Sequence, residues 1–187
     1  MLHVGCGVGY YTAVVAETVG EHGHVTGVEI DADLAARAGA NLAYLKHVSV
    51  IAGDGAALHL GPFDAIFINA GATEPKRVWL DALRDGGRLL LPLTASVSAE
   101  EINTLGFGMM LKVTRHREGY AAGFFSEVGI FPCIGARDEA AQRRLQEAFA
   151  SGNWESVRSL RRDIHQETST CWLHRAECCL STLSVGD

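Results

Sequence analysis

The sequence predicts an α/β fold with a mainly parallel central sheet, helices on both faces and an antiparallel hairpin closing it. Three observations predict this. Short β-rich runs alternate with helix-period stretches through the first half of the chain, the pattern of parallel strands joined by helical crossovers. The turns after the early strands carry glycine beside small or acidic residues, at Gly5-Cys6-Gly7-Val8-Gly9, Gly53-Asp54-Gly55 and Ala70-Gly71-Ala72. Two later β-rich runs flank a turn at Arg117-Glu118-Gly119.

Each element follows from its local pattern. Leu2 to Val4 reads as a strand, and Tyr11, Val14, Val15 and Thr18 then recur at helical spacing. Residues 25–30 form a second strand. Leu34, Ala35, Ala38, Leu42 and Leu45 mark the helix behind it, with Asp31 as its N-cap. Residues 48–52 and 63–69 are the third and fourth strands. Trp79, Ala82 and Leu83 suggest a short helix, and residues 88–91 a fifth strand closed by Pro92. Residues 109–115 and 121–131 make the hairpin. Beyond Pro132 the texture changes: 138–150 and 156–164 read as charged amphipathic helices, and 170–183 is ambiguous between strand and helix.

Composition bounds the function. At 187 residues and 48% hydrophobic content the chain can bury one substantial core. The expected organisation is a ligand-binding domain over 1–133 with an extension, 134–187, packed on the same domain. Apolar runs such as 89–93 and 65–68 fall far short of the ~20 residues that cross a bilayer, and Met-Leu-His-Val-Gly lacks the pattern of an export signal. A cytoplasmic protein without a membrane partner is expected. Five cysteines, none spaced C-x-x-C, read as reduced thiols. On a helical tail Cys171, His174 and Cys178 would share a face, but no fourth ligand is evident, so no metal is expected. The net charge of −6 argues against binding a phosphate backbone, which needs clustered cations. Arg158, Arg161 and Arg162 lie on the expected helix between Glu155 and Asp163 and read as a solvated face, so no nucleic-acid partner is expected.

The motif richest in chemistry is Val4-Gly5-Cys6-Gly7-Val8-Gly9-Tyr10, between a strand and a helix. Glycines there let a ligand approach the backbone, and the helix N-terminus offers free N–H groups. A dinucleotide fold would place its third glycine at the position of Tyr10, whereas here it comes one residue earlier at Gly9. That G-x-G-x-G spacing is similar to the first motif of class I S-adenosylmethionine-dependent methyltransferases; a tight packing turn is the alternative. Glu29 ends the second strand about 20 residues beyond the turn, where a carboxylate can accept both hydroxyls of a ribose. It or Asp31 could instead cap the next helix; Asp31 suits the cap and Glu29 the ribose. Asp54, after the third strand, could accept from an adenine amino group or simply form an Asp-Gly turn.

Taken together, Gly5-Cys6-Gly7-Val8-Gly9-Tyr10, Val28-Glu29, Gly53-Asp54-Gly55, Pro75 to Leu83, Gly86-Gly87-Arg88-Leu89 and Phe131-Pro132 resemble the protein-L-isoaspartate O-methyltransferases. The resemblance implies a Rossmann-like class I methyltransferase fold, with S-adenosyl-L-methionine as cofactor. It implies that Gly5, Cys6, Gly7, Gly9 and Tyr10 lie at the cofactor's methionine end, Glu29 and Ile30 at its ribose, Asp54 and Gly55 at its adenine, and Asn69 and Ala70 beneath the sulfonium. Asn69 could equally be a strand-end turn residue. The implied activity is methylation of isoaspartyl carboxylates in peptides or proteins. A small-molecule acceptor, or a cofactor-binding module without turnover, is the alternative. No catalytic base is expected, because a carboxylate is already nucleophilic, and His3 reads as a packed or edge residue. Members of the family carry a helical segment before the first motif. The sequence starts within the first strand, so the cover over the cofactor is expected from a longer chain, another chain or the extension.

Overall fold

Every residue of the first two strands, β1 (Leu2–Val4) and β2 (Val25–Glu29), is buried, as strands in the middle of a two-sided α/β sheet must be. The computed structural model of the protein describes residues 1–95 and 105–186. Around these strands come α1 (Tyr10–Val19), α2 (Ala32–Asn41), β3 (Val48–Ala52), β4 (Phe63–Ile68) and α3 (Arg77–Asp81). They are followed by β5 (Leu83–Ala95), β6 (Gly106–His116), β7 (Gly119–Ile130) and α4 (Glu139–Ser151), and the tail adds β8 (Ser159–Arg161), β9 (Cys171–His174) and β10 (Cys179–Ser181). Among the described residues these strands form one sheet in the order β3-β2-β1-β4-β5-β6-β7-β8-β10-β9.

The first five strands are parallel, and β6 and β7 are antiparallel to their neighbours, so the expected closing hairpin is present. The chain leaves β1 on one side toward β2 and β3, then returns to place β4 on the other side. That reversal opens a crevice at the carboxyl ends of β1 and β4, where ligands bind in open α/β sheets. Asp31 caps α2 as its sequence context predicts, accepting from the Asp33 and Leu34 amides at 2.9 and 3.0 Å. The main core runs along the sheet from Leu2, Ile66 and Leu89 to Leu160, Leu173 and Leu180 in the tail, and Ala16, Val25, Ala38 and Leu42 form a second core beneath α1 and α2.

Three expectations are corrected. β5 is not confined to 88–91 but runs from Leu83, which helical spacing groups with Trp79 and Ala82, past Pro92 to Ala95. β4 pairs with β5 only as far as Leu90, so the missing Pro92 amide breaks no ladder, and the Pro92 carbonyl accepts from Ala72 at 3.0 Å. The helix expected over 156–164 is absent: a single 3-10 turn, Trp154–Ser156, leads into β8, which pairs with β7 through Tyr120–Leu160 and Ala121–Ser159. Pairing with an open sheet edge outweighs the helical spacing of Val157 and Leu160. The arginines consequently diverge. Arg158 bonds the Glu155 carbonyl, Arg161 grips Asp163, and Arg162 reaches Asp81 at 2.7 Å. The third correction settles the ambiguous stretch 170–183 as two strands, β9 and β10. Trp172 ties them to α4 by donating to the Gly152 carbonyl at 2.8 Å and packing against Phe149. Among the described residues no helix is long and apolar enough to cross a membrane.

Candidate active site

The glycine turn is shaped by its neighbours. Gly5 and Cys6 both donate to the Val28 carbonyl, at 2.9 and 3.1 Å, which draws the turn over the end of β2. Gly9, the N-cap of α1, has φ +95°, and a Cβ on it would come within 2.8 Å of the Leu42 side chain. Both the backbone and the space therefore call for glycine. The Gly7 amide donates to Glu29 Oε2 at 2.8 Å, and the Asp31 amide to Glu29 Oε1 at 3.2 Å. Glu29 is only 8% exposed, and each of its oxygens keeps a lone pair beyond these bonds.

These groups border a cleft of ≈ 310 Å³ at the carboxyl ends of β1, β2, β3 and β4. Of the residues expected at the site, Gly5, Glu29, Ile30, Asp54, Gly55, Asn69 and Ala70 line it. Cys6, Gly7, Gly9 and Tyr10 fall outside the lining. Cys6 turns inward against Gly27 and Thr12, where burial and then the Glu29 charge push its thiol up to about 11. Gly7 acts through its amide on Glu29, Gly9 packs on Leu42, and the Tyr10 ring points out beside Tyr11.

Asp54 is held from two sides. Its Oδ1 accepts from the Ala56 amide at 2.8 Å, and a Cβ on Gly135 would clash with its Oδ2, so Gly135 is the space in which the carboxylate sits. Beneath it, the buried Trp79 indole donates to the Gly55 carbonyl at 2.7 Å. Asn69 reaches back to the Gly5 carbonyl at 3.4 Å. The far wall is Phe131, Pro132, Cys133 and Ile134, latched to the end of β4 by Gly71, whose amide donates to Phe131 and whose carbonyl accepts from Cys133. This wall did not figure among the expected site residues. Its signal was the Phe131-Pro132 pair, an aromatic before a strand-breaking proline.

The cleft lining is acidic, although the charges of Lys76 and Arg137 also act on Cys133 in its wall. Among the described residues the lining includes the carboxylates of Glu29 and Asp54 and no lysine or arginine. Cys133, in the same wall, is pushed up to about 11 by burial and by the Asp54 charge. Such a cleft disfavours a pyrophosphate and favours a ligand carrying hydroxyls, an amino group and positive charge.

Comparison with known proteins decides the lineage of this cleft. The family described as protein-L-isoaspartate(D-aspartate) O-methyltransferase matches residues 1–105, more than half of the chain. The chain belongs to this family. The family uses S-adenosylmethionine as its methyl donor. The protein-L-isoaspartate O-methyltransferase of Ignicoccus hospitalis is 33% identical over 138 residues, covering 72% of this chain and 62% of its own. Across the first curated relatives the chain spans between 33% and 62% of their length. A solved protein-L-isoaspartate O-methyltransferase superposes with a TM-score of 0.58 at 22% identity, over 87% of this chain and 48% of its own. A Plasmodium falciparum structure described by the same enzyme name, in complex with S-adenosyl-L-homocysteine, gives 0.59 at 20% identity, over 72% and 65%. At these identities the two structures show a shared class I methyltransferase fold. The first of them covers more of the chain than the family match does.

Proposed function

We propose that the cleft binds S-adenosylmethionine and that the protein transfers its methyl group to the carboxylate of isoaspartyl residues in peptides or proteins. The observation that carries this reading is the buried Glu29 carboxylate beside the glycine turn, sharing with Asp54 a cleft whose lining among the described residues holds no lysine or arginine. In this reading Glu29 accepts the two ribose hydroxyls with the lone pairs left free by the Gly7 and Asp31 amides. Asp54, with Oδ1 fixed by the Ala56 amide, accepts from the adenine amino group, and Ile30 and Leu34 cover the adenine and ribose edge. Asn69 and Ala70 form the floor at the reacting end.

When bound, the cofactor supplies an electrophilic methyl group on a sulfonium. The protein's part is to hold donor and acceptor in line and to keep water out. An acceptor carboxylate is ionised at neutral pH, so no residue is required to remove a proton. The family supports isoaspartate as the acceptor.

The test is transfer of labelled methyl from S-adenosylmethionine to an isoaspartyl peptide, with the aspartyl peptide as control. Selective, base-labile labelling is expected. Glu29→Ala should weaken S-adenosylhomocysteine about 10- to 100-fold, the worth of hydrogen bonds to a charged group. Unchanged affinity would remove the cofactor assignment. No labelling by protein that still binds S-adenosylhomocysteine would point to a different acceptor or to a module that binds without turnover.

A further inference from the structure

Away from the cleft, the tail gathers four metal-binding side chains that none of the strands would bring together alone. β9 and β10 pair with Cys179 opposite His174 and Leu180 opposite Leu173. The register then shifts between Leu180 and Ser181, leaving Trp172 as the extra residue and Cys171 opposite Ser181. In an unbroken strand Cys171 and His174, three residues apart, would face opposite sides. The bulge turns Cys171 to the side of His174 and Cys179, while Leu173 and Leu180 face the core. The loop after β8 brings His165 over the same place, its Nε2 3.5 Å from Cys171 Sγ. One ligand atom from each of His165, Cys171, His174 and Cys179 lies within 4.8 Å of all the others.

We propose that His165, Cys171, His174 and Cys179 hold a zinc ion in tetrahedral coordination. Bonds of about 2.0 Å to nitrogen and 2.3 Å to sulfur put tetrahedral ligands roughly 3.3–3.8 Å apart, so the cluster is within about 1.5 Å of closing. Two imidazoles and two thiolates are the donor set that suits zinc.

The surroundings add what a metal site needs beyond its ligands. His165 Nδ1 lies 2.9 Å from the Asp163 carbonyl and 3.2 Å from its carboxylate, and Arg161 grips that carboxylate at 2.6 Å. With its proton on Nδ1, His165 presents the Nε2 lone pair toward Cys171. The Thr168 amide points at Cys171 Sγ from 3.4 Å, an N–H donor placed for a thiolate. His174 Nδ1 is buried with no hydrogen-bond partner among the described residues, and a ring nitrogen left so is costly unless the ring has a role that requires it. Cys178, by contrast, is buried in the main core, away from the cluster. Residues 162–170 contain neither helix nor strand, and the ion would fasten this loop to β9 and β10.

The test uses the full chain, purified without chelator. Elemental analysis should find one zinc per chain. Cobalt(II) in its place should give the intense visible bands of tetrahedral cobalt and thiolate-to-cobalt charge transfer in the near ultraviolet. Cys171→Ser combined with Cys179→Ser should abolish both and bring zinc to background, and His165→Gln should weaken zinc at least tenfold. Cys178→Ala should keep the cobalt spectrum. Protein without zinc and with a featureless cobalt spectrum would overturn the proposal, as would a spectrum that survives the double substitution. A Cys171–Cys179 disulfide in protein prepared without oxidant would overturn it as well.

Discussion

At the scale of single residues, His3 shows how the centre of the sheet treats a titratable group. The side chain is fully buried, stacked on Phe67 at 5.1 Å, with Nδ1 2.8 Å from the Thr12 hydroxyl and Nε2 without a partner among the described residues. Burial lowers its pKa from 6.5 to about 4. Between those values the unfolded chain binds a proton that the folded chain refuses, so the stability due to neutral His3 is complete above pH 6.5 and is lost as pH falls toward 4. The loss is about 3 kcal/mol at most. Urea unfolding across this range should show the effect, and His3→Gln should remove that part of the slope; an identical slope in the variant would mean that other groups carry it. His3 was legible as a packed or edge residue from its place between two apolar neighbours in a strand, and burial at the centre of the sheet makes it the packed one. Glu29 and Asp54 were legible as candidates for the cleft because each stands at the end of a strand, although each also accepts from a backbone amide of its own turn. Gly135 was not. Its role is the room it leaves for Asp54, a relation between positions far apart in sequence, and its own surroundings show only a turn.

At the scale of elements, the first half of the chain declares itself and the tail does not. Parallel strands joined by helices impose repeating local patterns, so β1 to β4 and the cap of α2 stand close to their expected bounds. The tail strands are three or four residues long and exist because β7 offers an open edge, which no short window of sequence records. Tertiary pairing there overrides helical spacing. The short helix α3 connects this scale to the site. Its Trp79 is 1% exposed, and the indole supports the Gly55 carbonyl below the Asp54 loop. Trp79→Phe keeps most of the apolar volume but strands that carbonyl, at a cost of about 1–3 kcal/mol. The expected result is a lower Tm together with several-fold weaker S-adenosylhomocysteine binding by calorimetry, because the loop that positions Asp54 loses its support. A lower Tm with unchanged affinity would show that the loop holds its shape without the indole.

At the scale of the whole molecule, the question is whether cleft and tail unfold as one. Among the described residues backbone pairing between them is thin: β8 meets β7 through two residue pairs, with one further bond from the Ala122 amide to the Arg158 carbonyl. Side-chain packing argues the other way. Leu160, Leu173 and Leu180, each at most 3% exposed, belong to the same core as Leu89, Leu91 and Leu111. Losing contacts of that kind costs roughly 2–5 kcal/mol per leucine, more than these few backbone bonds supply. Packing should therefore dominate, and the described residues should open cooperatively. S-adenosylhomocysteine at 100 times its Kd adds about 2.7 kcal/mol to whatever unit contains the cleft. Under conditions where exchange follows global opening, the amides of Leu160, Leu173 and Leu180 should then slow by about 100-fold, as should those of β1 and β4. Tail amides that kept their ligand-free rates while β1 and β4 slowed would instead make the tail a separate unit, attached at β8 and stabilised by its own side chains.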